Sequence, residues 1–417
     1  MVATYAPAKQ FLGCANEGAA TMGTAVAPAF TQLIDTLKPS DKPKFLKDTA
    51  WRGSMGTDAF GQIAGVKHAE LDLGGPVFAD GAGFFLRNIL GDLAVTGTPT
   101  GSGSTTLAAQ AAAGASSIST AASIPAATII QIGSGATAEV FTTGTPTGAG
   151  PYTIPLATPA GGLAYLHASA QAVVPVLAGP FTYAWSLLNS GGGQPISHTL
   201  THSLGPTATV GARAYPGFAM TGLDLKFNVE TELLMWAGKG MSWPSIPAAA
   251  APTANGTSIK PIASWQTLVG IGGPASGGTL VATVMDGETN IVRQAVPYFT
   301  ANGVQTPYII QRGLLNVAGK LNFGAVSDES ALLYMLNNTQ PQVQLVTTNG
   351  LSGTSLLTVQ VDMQSCAFIT SDPDTAKTAV GYNTTFEALF NTTNAGGSGG
   401  MSPIRVSVTC NVTPGTY

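Results

Sequence analysis

The chain has 417 residues, which is enough for two or three domains that each bury a core. Only 9% of the residues are charged, and the formal net charge of −4 excludes the strongly basic surface that binds nucleic acids or anionic membranes. Because a monomer with so few charges is poorly protected against self-association, we expect much of the surface to be buried between copies of the chain.

The N-terminal sequence MVATYAPAKQFLG lacks the basic start and the apolar segment of a signal peptide. No run reaches the roughly 18 apolar residues of a transmembrane helix, so we expect a protein that is made soluble in a cytoplasm and does not enter a membrane. The cysteines Cys14, Cys366 and Cys410 are far apart in the sequence and show neither a disulfide framework nor the spacing of a zinc site.

Four segments alternate apolar and polar residues with the period of two that is typical of a β-strand with one packed and one solvated face. They are 68–75 (HAELDLGG), 222–230 (GLDLKFNVE), 316–323 (NVAGKLNF) and 357–364 (LTVQVDMQ). The polar faces of these strands are predicted to carry Glu70, Asp72, Asp224, Lys226, Asn228, Glu230, Lys320, Asn322, Gln360, Asp362 and Gln364.

A short helix is predicted inside each pair of strands. Segment 80–92 has apolar residues at helical spacing after Asp80, which is predicted as the N-cap, and segment 327–338 has the same pattern after Ser327. The order strand, helix, strand therefore occurs twice, and we interpret the two halves as an internal duplication.

The stretch between the first helix and the strand that begins near Phe181 has a different composition. Segment 101–140 is rich in Ser, Thr, Ala and Gly and carries one charged residue, Glu139. Segment 127–143 (ATIIQIGSGATAEVFTT) predicts a β-hairpin around a glycine turn. We interpret residues 96–176 as a small β-module inserted into a surface connection of the host domain, where long insertions cost little loop entropy.

This insertion sets the predicted domain boundaries. Residues 1–95 together with 177–250 form a first domain, and residues 261–417 form a second, similar domain. A Pro/Ala-rich linker at 251–260 joins the two domains, and the segment NTTNAGGSGGMSP is predicted as a flexible loop before a last strand, IRVSVTCNV.

Residues for catalysis are few. His198 and His202 lie four residues apart, but the surrounding Thr/Leu alternation favours a strand over a metal-binding helix, and Glu70 with Asp72 fits a solvated polar face. The segment GIGGPASGG lacks the spacing of a dinucleotide-binding loop. We therefore expect no enzyme, no cofactor and no metal site.

The polar strand faces suggest a different role. If copies joined edge to edge into a closed ring, every edge strand would be paired and the polar faces would line a water-filled bore. The residues of this face in the first half are mostly negative, and an acidic lining would let DNA slide without binding.

Several segments resemble the major tail tube protein of bacteriophages with long, non-contractile tails (siphovirus type). NEGAATMGTAVAPAFTQLIDTLKPSDKP and RGSMGTDAFGQIAGVKHAELDLGGPV are similar to the N-terminal arm and first hairpin of that family. NIVRQAVPYFTANGVQTPYIIQRGLLNVAGKLNF is similar to its strand, Asn-Gly hairpin and tube strand. The inserted segment resembles a small β-module that recurs in phage structural proteins.

The resemblance implies a mainly β fold, a β-sandwich or split barrel with flanking short helices, which stacks as rings into a hollow virion tail. Loops and N-terminal arms would bind the next ring, and the inserted module would decorate the exterior. The partner is the chain itself, as three duplicated chains or six chains per ring. The tape-measure protein and double-stranded DNA would pass through the lumen without specific binding, and synthesis would take place in the bacterial cytoplasm.

The sequence leaves two other hypotheses for the function. A capsid or decoration protein could carry the same module, but it would be expected to have a basic N-terminal arm and a long helix. A secreted β-rich adhesin shares the charge-poor composition, but it would need an export signal.

Overall fold

In the computed structural model, the described residues are 10–18, 22–50, 61–99, 103–134, 137–158, 162–204, 211–253, 259–324, 330–375, 380–414 and 416–417. Most of them lie in antiparallel strands, and they contain two short α-helices, which confirms the mainly β fold.

The strands are β1 (Phe11–Asn16), β2 (Phe30–Gln32), β3 (Thr36–Asp48), β4 (Gly61–Pro76), β5 (Gly91–Pro99), β6 (Thr105–Thr106), β7 (Ser117–Thr120), β8 (Ile129–Ile132), β9 (Glu139–Thr143), β10 (Tyr152–Thr158), β11 (Ala172–Leu187), β12 (His198–Ser203), β13 (Ala212–Asn228), β14 (Met235–Ser242), β15 (Ile246–Pro247), β16 (Thr267–Ile271), β17 (Val284–Tyr298), β18 (Ile309–Gly324), β19 (Val343–Thr348), β20 (Thr358–Met363), β21 (Cys366–Asp374), β22 (Gly381–Ala388) and β23 (Arg405–Cys410). The helices are α1 (Ala82–Ile89) and α2 (Ser330–Asn337).

Two antiparallel sheets form the body of the molecule. The first, which we call the long sheet, has the strand order β3-β4-β14-β13-β17-β18-β22-β21. The second, the facing sheet, has the order β16-β19-β20-β23-β11-β5. Both sheets combine strands from both halves of the chain, because β13 pairs with β17 in one and β11 pairs with β23 in the other.

The core lies between these two sheets, as in a β-sandwich. Leu223 and Leu225 of the long sheet meet Val359 and Val406 of the facing sheet around a cavity of about 20 Å³. One contiguous hydrophobic cluster contains residues from both halves, including the fully buried Trp185. The two predicted tube domains therefore share one core.

The long sheet contains the same four-stranded unit twice. The units are β3-β4-β14-β13 and β17-β18-β22-β21, and in each the fourth strand along the chain lies between the second and the third. β4 and β18 are both 16 residues long, and β14 and β22 are both 8 residues long. An eight-residue helix follows β4 in the first unit and β18 in the second.

The helices and the β-bulges of the two units also match. Met220 of β13 donates its backbone N–H to Asn88 of α1 over 2.6 Å, and Tyr334 of α2 packs on Phe368 of β21 with ring centroids 5.5 Å apart. The register shift at Pro43/Phe45 in β3 corresponds to that at Arg293/Ala295 in β17, and the shift at Met220/Gly222 in β13 corresponds to that at Phe368/Thr370 in β21. β17 has one further shift, at Val284/Asp286. Because a bulge is a specific local interruption of a ladder, two unrelated hairpins would not share both of them at equivalent positions.

The inserted module has its own core, which extends from Leu107 to Val173 and is built on β6 to β10. The predicted hairpin is confirmed as β8 paired with β9. The module lies between β5 and β11 of the facing sheet. At the equivalent place in the second half of the chain, β19 and β20 are joined only by the turn at 349–357. β11 runs through both bodies, since Val173 pairs with Ile132 of the module and Trp185 pairs with Leu93 of the facing sheet.

Buried polar contacts join the module to the sandwich. The Tyr165 hydroxyl of the module donates to Asp92 at the start of β5, and Asp92 also accepts the Ser398 N–H over 2.9 Å. Inside the module, Glu139 accepts the Tyr165 N–H over 3.0 Å and lies 2.9 Å from His167 Nε2. The glycine-rich loop that contains Ser398 was predicted to be flexible, but these contacts hold it against β5.

The two helices differ in what covers them. Strands β1, β2 and β12 extend from β13 as a side layer, and Phe30 of β2 stacks on Phe84 of α1 with ring centroids 5.3 Å apart. By contrast, the side chains of Leu333 and Leu336 of α2 are 48% and 66% exposed. The predicted Asp80 cap is wrong, because the N-cap of α1 is Gly81 and no side chain caps it. Ser327 and linker residues 254–258 lie outside the described residues.

Candidate lumen face and unit junction

The outer face of the long sheet, which we call the polar face, carries most of the predicted polar residues in rows across neighbouring strands. One row places Lys226, Glu288, Lys320 and Thr385 directly opposite one another. The next row consists of Asn228, Asp286, Asn322, Asn383 and Asp372. Each row crosses from the first four-stranded unit into the second, so the face is continuous.

Opposite charges on this face are paired. Lys226 Nζ lies 3.1 Å from Glu288 Oε1. With its amide nitrogen turned toward the carboxylates, Asn290 lies 2.6 Å from Glu288 and 2.7 Å from Asp224. Pairs as exposed as these contribute only about 0–1 kcal/mol to stability. Their effect is to hold the side chains of the face in one arrangement.

Asp224 is a partly buried member of this network. Burial raises the pKa of Asp224 above its ordinary value, and the neighbouring Glu288 raises it further. Lys226 and Lys239 act in the opposite direction and lower it. The two lysines thus offset part of the cost of placing a carboxylate at this position.

The expectation that the first half of this face is mostly negative counted only two of its strands, β4 and β13. Lys38 of β3 and Lys239 of β14 flank Asp72 on either side. The face combines the carboxylates Glu70, Asp72, Asp224, Asp286, Glu288, Asp372, Asp374 and Glu387 with the lysines Lys38, Lys42, Lys226, Lys239 and Lys320. The first unit supplies three of these carboxylates and four of the lysines, whereas the second unit supplies five carboxylates and one lysine. The face is therefore acidic overall, and its excess negative charge lies on the second unit.

Four of the predicted face residues lie elsewhere. Glu230 follows the end of β13 in a turn, where its N–H donates to the Asn228 side chain over 3.1 Å. Gln360 and Asp362 lie on β20, so they belong to the outer face of the facing sheet on the other side of the core, and Gln364 follows that strand in a bend. There Gln360 donates to Asp362 over 2.8 Å in a separate polar network. The other predicted residues are together on the polar face.

Sequence reasoning missed the contribution of β3 and β17. The segment that contains Asp286, Glu288 and Asn290 alternates in the same way as the four predicted strands, so the signal was present. Lys38 and Lys42 were missed because they are next to Pro39 and Pro43, which argue against a strand except at the edge of a sheet.

Two buried arginines of the second unit hold the junction with the first. Arg293 of β17 donates to the carbonyl oxygen of Ile89 at the end of α1 over 2.8 Å. Arg312 of β18 donates to Asn88 Oδ1 over 3.2 Å and also to the Pro195 carbonyl oxygen. Both side chains are 3% exposed, and burial lowers the pKa of Arg293 to about 10 and that of Arg312 to about 9. Both guanidinium groups remain charged at neutral pH.

The two histidines of β12 contact different side chains. His198 lies against Asn88, with 2.5 Å between Nδ1 and Nδ2, whereas His202 lies 3.2 Å from the side chain of Gln10. Both are buried, and burial lowers the pKa of each, that of His198 strongly. Within the described part of the chain, no group of three His, Cys, Asp or Glu side chains is placed to hold a metal ion.

None of the helices in the described residues is long and apolar enough to cross a membrane. No known family model matches the sequence, and a search of curated proteins finds no similar sequence.

Proposed function

We propose that this protein is the major tail tube protein of a phage with a long, non-contractile tail. Copies join side by side into rings, and the rings stack into a hollow tube through which DNA leaves the virion. The observation that carries the proposal is the long sheet, a continuous antiparallel sheet made of two equivalent units. Among the described residues, its end strands β3 and β21 each pair with one strand only.

Sheets with two open edges are prone to join, and closure into a ring pairs every edge. The two edges of the sheet differ, since one is β3 of the first unit and the other is β21 of the second unit. A contact between unlike edges is head-to-tail, and such contacts form a ring when the rotation closes. Because each chain supplies two units, three chains would supply the six units of a ring with approximate sixfold symmetry.

The positions of the polar face and of the module fit this arrangement. The polar face lies on one side of the core, and the module continues from β5 and β11 of the facing sheet on the other side. If the polar face lines the bore, the module projects from the exterior. Because the face carries eight carboxylates and five lysines, a bore lined by it would be acidic overall and would not attract the phosphate backbone.

Negative-stain microscopy of the purified protein tests the proposal. The expected result is rings that stack into long hollow tubes with external projections. Closed shells would favour a capsid or decoration protein, and particles that remain monomeric at high concentration would contradict any assembly role.

The lumen assignment predicts the effect of added positive charge. The variant Asn316→Lys/Glu387→Lys places lysines at two exposed positions of the polar face. Tubes of this variant should retain short double-stranded DNA at low salt and release it as salt rises, because lysines that contact phosphates release counterions. Wild-type tubes and the matched variant Ser352→Lys/Glu232→Lys, with the same charge change in exposed turns, should retain none. Equal retention by the two variants would show that the polar face is not the lumen.

A further inference from the structure

We propose that the β21 edge of one copy docks against the β3 edge of the next, in a register set by the internal repeat and stabilised by opposite charges. This contact rests on the proposed ring assembly and identifies the strands and side chains that would close the ring.

The junction inside the chain serves as the template. There β13, which lies at one edge of the first unit, pairs with β17, the first strand of the second unit. Asp224 is opposite Asn290, and Lys226 is opposite Glu288, to which it forms the 3.1 Å ion pair. In the repeat, β21 is the equivalent of β13 and β3 is the equivalent of β17.

The matching bulges fix this equivalence residue by residue. The shift at Pro43 in β3 corresponds to the shift at Arg293 in β17, and the shift before Thr370 in β21 corresponds to the shift before Gly222 in β13. Applied to two copies, the template places Thr370 opposite Lys42, Asp372 opposite Ser40 and Asp374 opposite Lys38 of the next copy. The pair of Asp374 with Lys38 occupies the place of Lys226 with Glu288, with the signs exchanged.

The two edges carry opposite net charges. β3 carries four lysines and two aspartates, whereas β21 carries two aspartates and no basic residue. Lys38, Lys42 and Asp372 are exposed, and Asp374 is partly exposed. Contacts between like edges, β3 with β3 or β21 with β21, would bring like charges together. The charges thus favour the head-to-tail contact that a ring requires.

Prolines make the side chains more important at this contact than at the template junction. Pro39 and Pro43 of β3 and Pro373 of β21 have no N–H to donate, so the backbone ladder between copies must have gaps. Prolines at an edge also protect it from indiscriminate pairing. A contact that depends on charge pairs under these conditions should weaken as salt rises.

The proposed contact would also cover the exposed face of α2. At the template junction, Arg312 of the second unit reaches Asn88 of α1, which is fully buried. The equivalent helix α2 packs on β21 and exposes Leu333 and Leu336. The β3–β4 hairpin of the next copy, equivalent to β17–β18, would cover these two leucines.

Charge reversal tests the contact in the full chain. We compare Lys38→Glu/Lys42→Glu, Asp372→Lys/Asp374→Lys and the variant that combines all four changes, with Glu230→Lys/Glu232→Lys in an exposed turn as the matched control. Because Lys42 also lies 3.4 Å from Glu70, circular dichroism and thermal unfolding of each variant establish that it is folded. The readout is the protein concentration at half-assembly, measured by sedimentation and microscopy.

Each single-edge variant should raise this concentration by at least about tenfold, and the combined variant should return it to within about threefold of the wild type. The control should behave as the wild type. If wild-type tubes form and folded single-edge variants assemble equally well, the contact is refuted and the proposed function stands. If the combined variant folds but its concentration at half-assembly does not return toward the wild-type value, the assigned register is refuted. If the wild type forms no rings or tubes, the proposed function fails and this contact fails with it.

Discussion

Replacing Arg312 with alanine is expected to lower the free energy of unfolding by about 3 kcal/mol. The guanidinium group of Arg312 is buried and binds Asn88 and the Pro195 carbonyl oxygen, which belong to the first unit. The variant removes this donor from the Pro195 carbonyl oxygen and leaves Asn88 Oδ1 with the Met220 N–H, and both acceptors lie in a buried region. Urea denaturation of the monomer at neutral pH measures the loss.

The matched control is Arg213→Ala. Arg213 is exposed and binds Ser245 Oγ over 2.6 Å at the surface, so its removal should cost less than about 1 kcal/mol. An equal loss for the two variants would contradict the assignment of Arg312 as the residue that holds the two units together.

Excision of the module is expected to leave a folded chain that still forms tubes, but without external projections. The second half of the chain shows how to make the deletion, because a short turn connects β19 to β20 at the place equivalent to the module. Thr98 and Ala178 are paired in the ladder between β5 and β11, so an Asn-Gly turn between them would close a two-residue hairpin. Cryo-electron microscopy compares the inner and outer diameters of the tubes.

The inner diameter should be unchanged and the outer diameter smaller. Tyr165→Phe is the control that keeps the module and removes only the hydroxyl bonds of Tyr165 to Asp92 and to the Leu93 carbonyl oxygen. Tubes of this variant should retain their projections. Projections that persist after excision, or an excised chain that no longer assembles, would contradict an exterior role for the module.

The alternating pattern predicted the strands of the long sheet well. Segments 68–75, 222–230 and 316–323 all lie in the long sheet with their polar residues on one face, apart from Glu230. The period of a strand depends only on its own side chains, so a single sequence can show it. The predicted helices also exist, although the structure begins α1 two residues later than the predicted boundary at position 80.

The sequence could not show which strands share a sheet. Gln360 and Asp362 alternate with apolar residues as regularly as Lys320 does, yet they lie on the opposite side of the core. Alternation shows that one face is buried and leaves open which sheet buries it. Register and pairing depend on contacts between residues far apart in the chain, such as Asp224 with Asn290.

The duplication illustrates the same limit. Few residues are identical between the two halves, since Asn88 corresponds to Leu336 and the buried Phe84 and Phe85 correspond to leucines. The strand order is nevertheless the same in both units, the second and fourth strands along the chain have equal lengths, and two bulges lie at equivalent positions. A fold requires apolar and polar positions in the right places, and many residues can fill them.

The symmetry of the assembled ring tests the central claim most directly. Cryo-electron microscopy of the tubes, averaged along the axis, should show six similar wall units around a central bore and three external projections per ring, because each chain carries two tube units and one module. Six projections per ring, or a wall built of three units, would contradict the account in which one duplicated chain supplies two neighbouring segments of the tube.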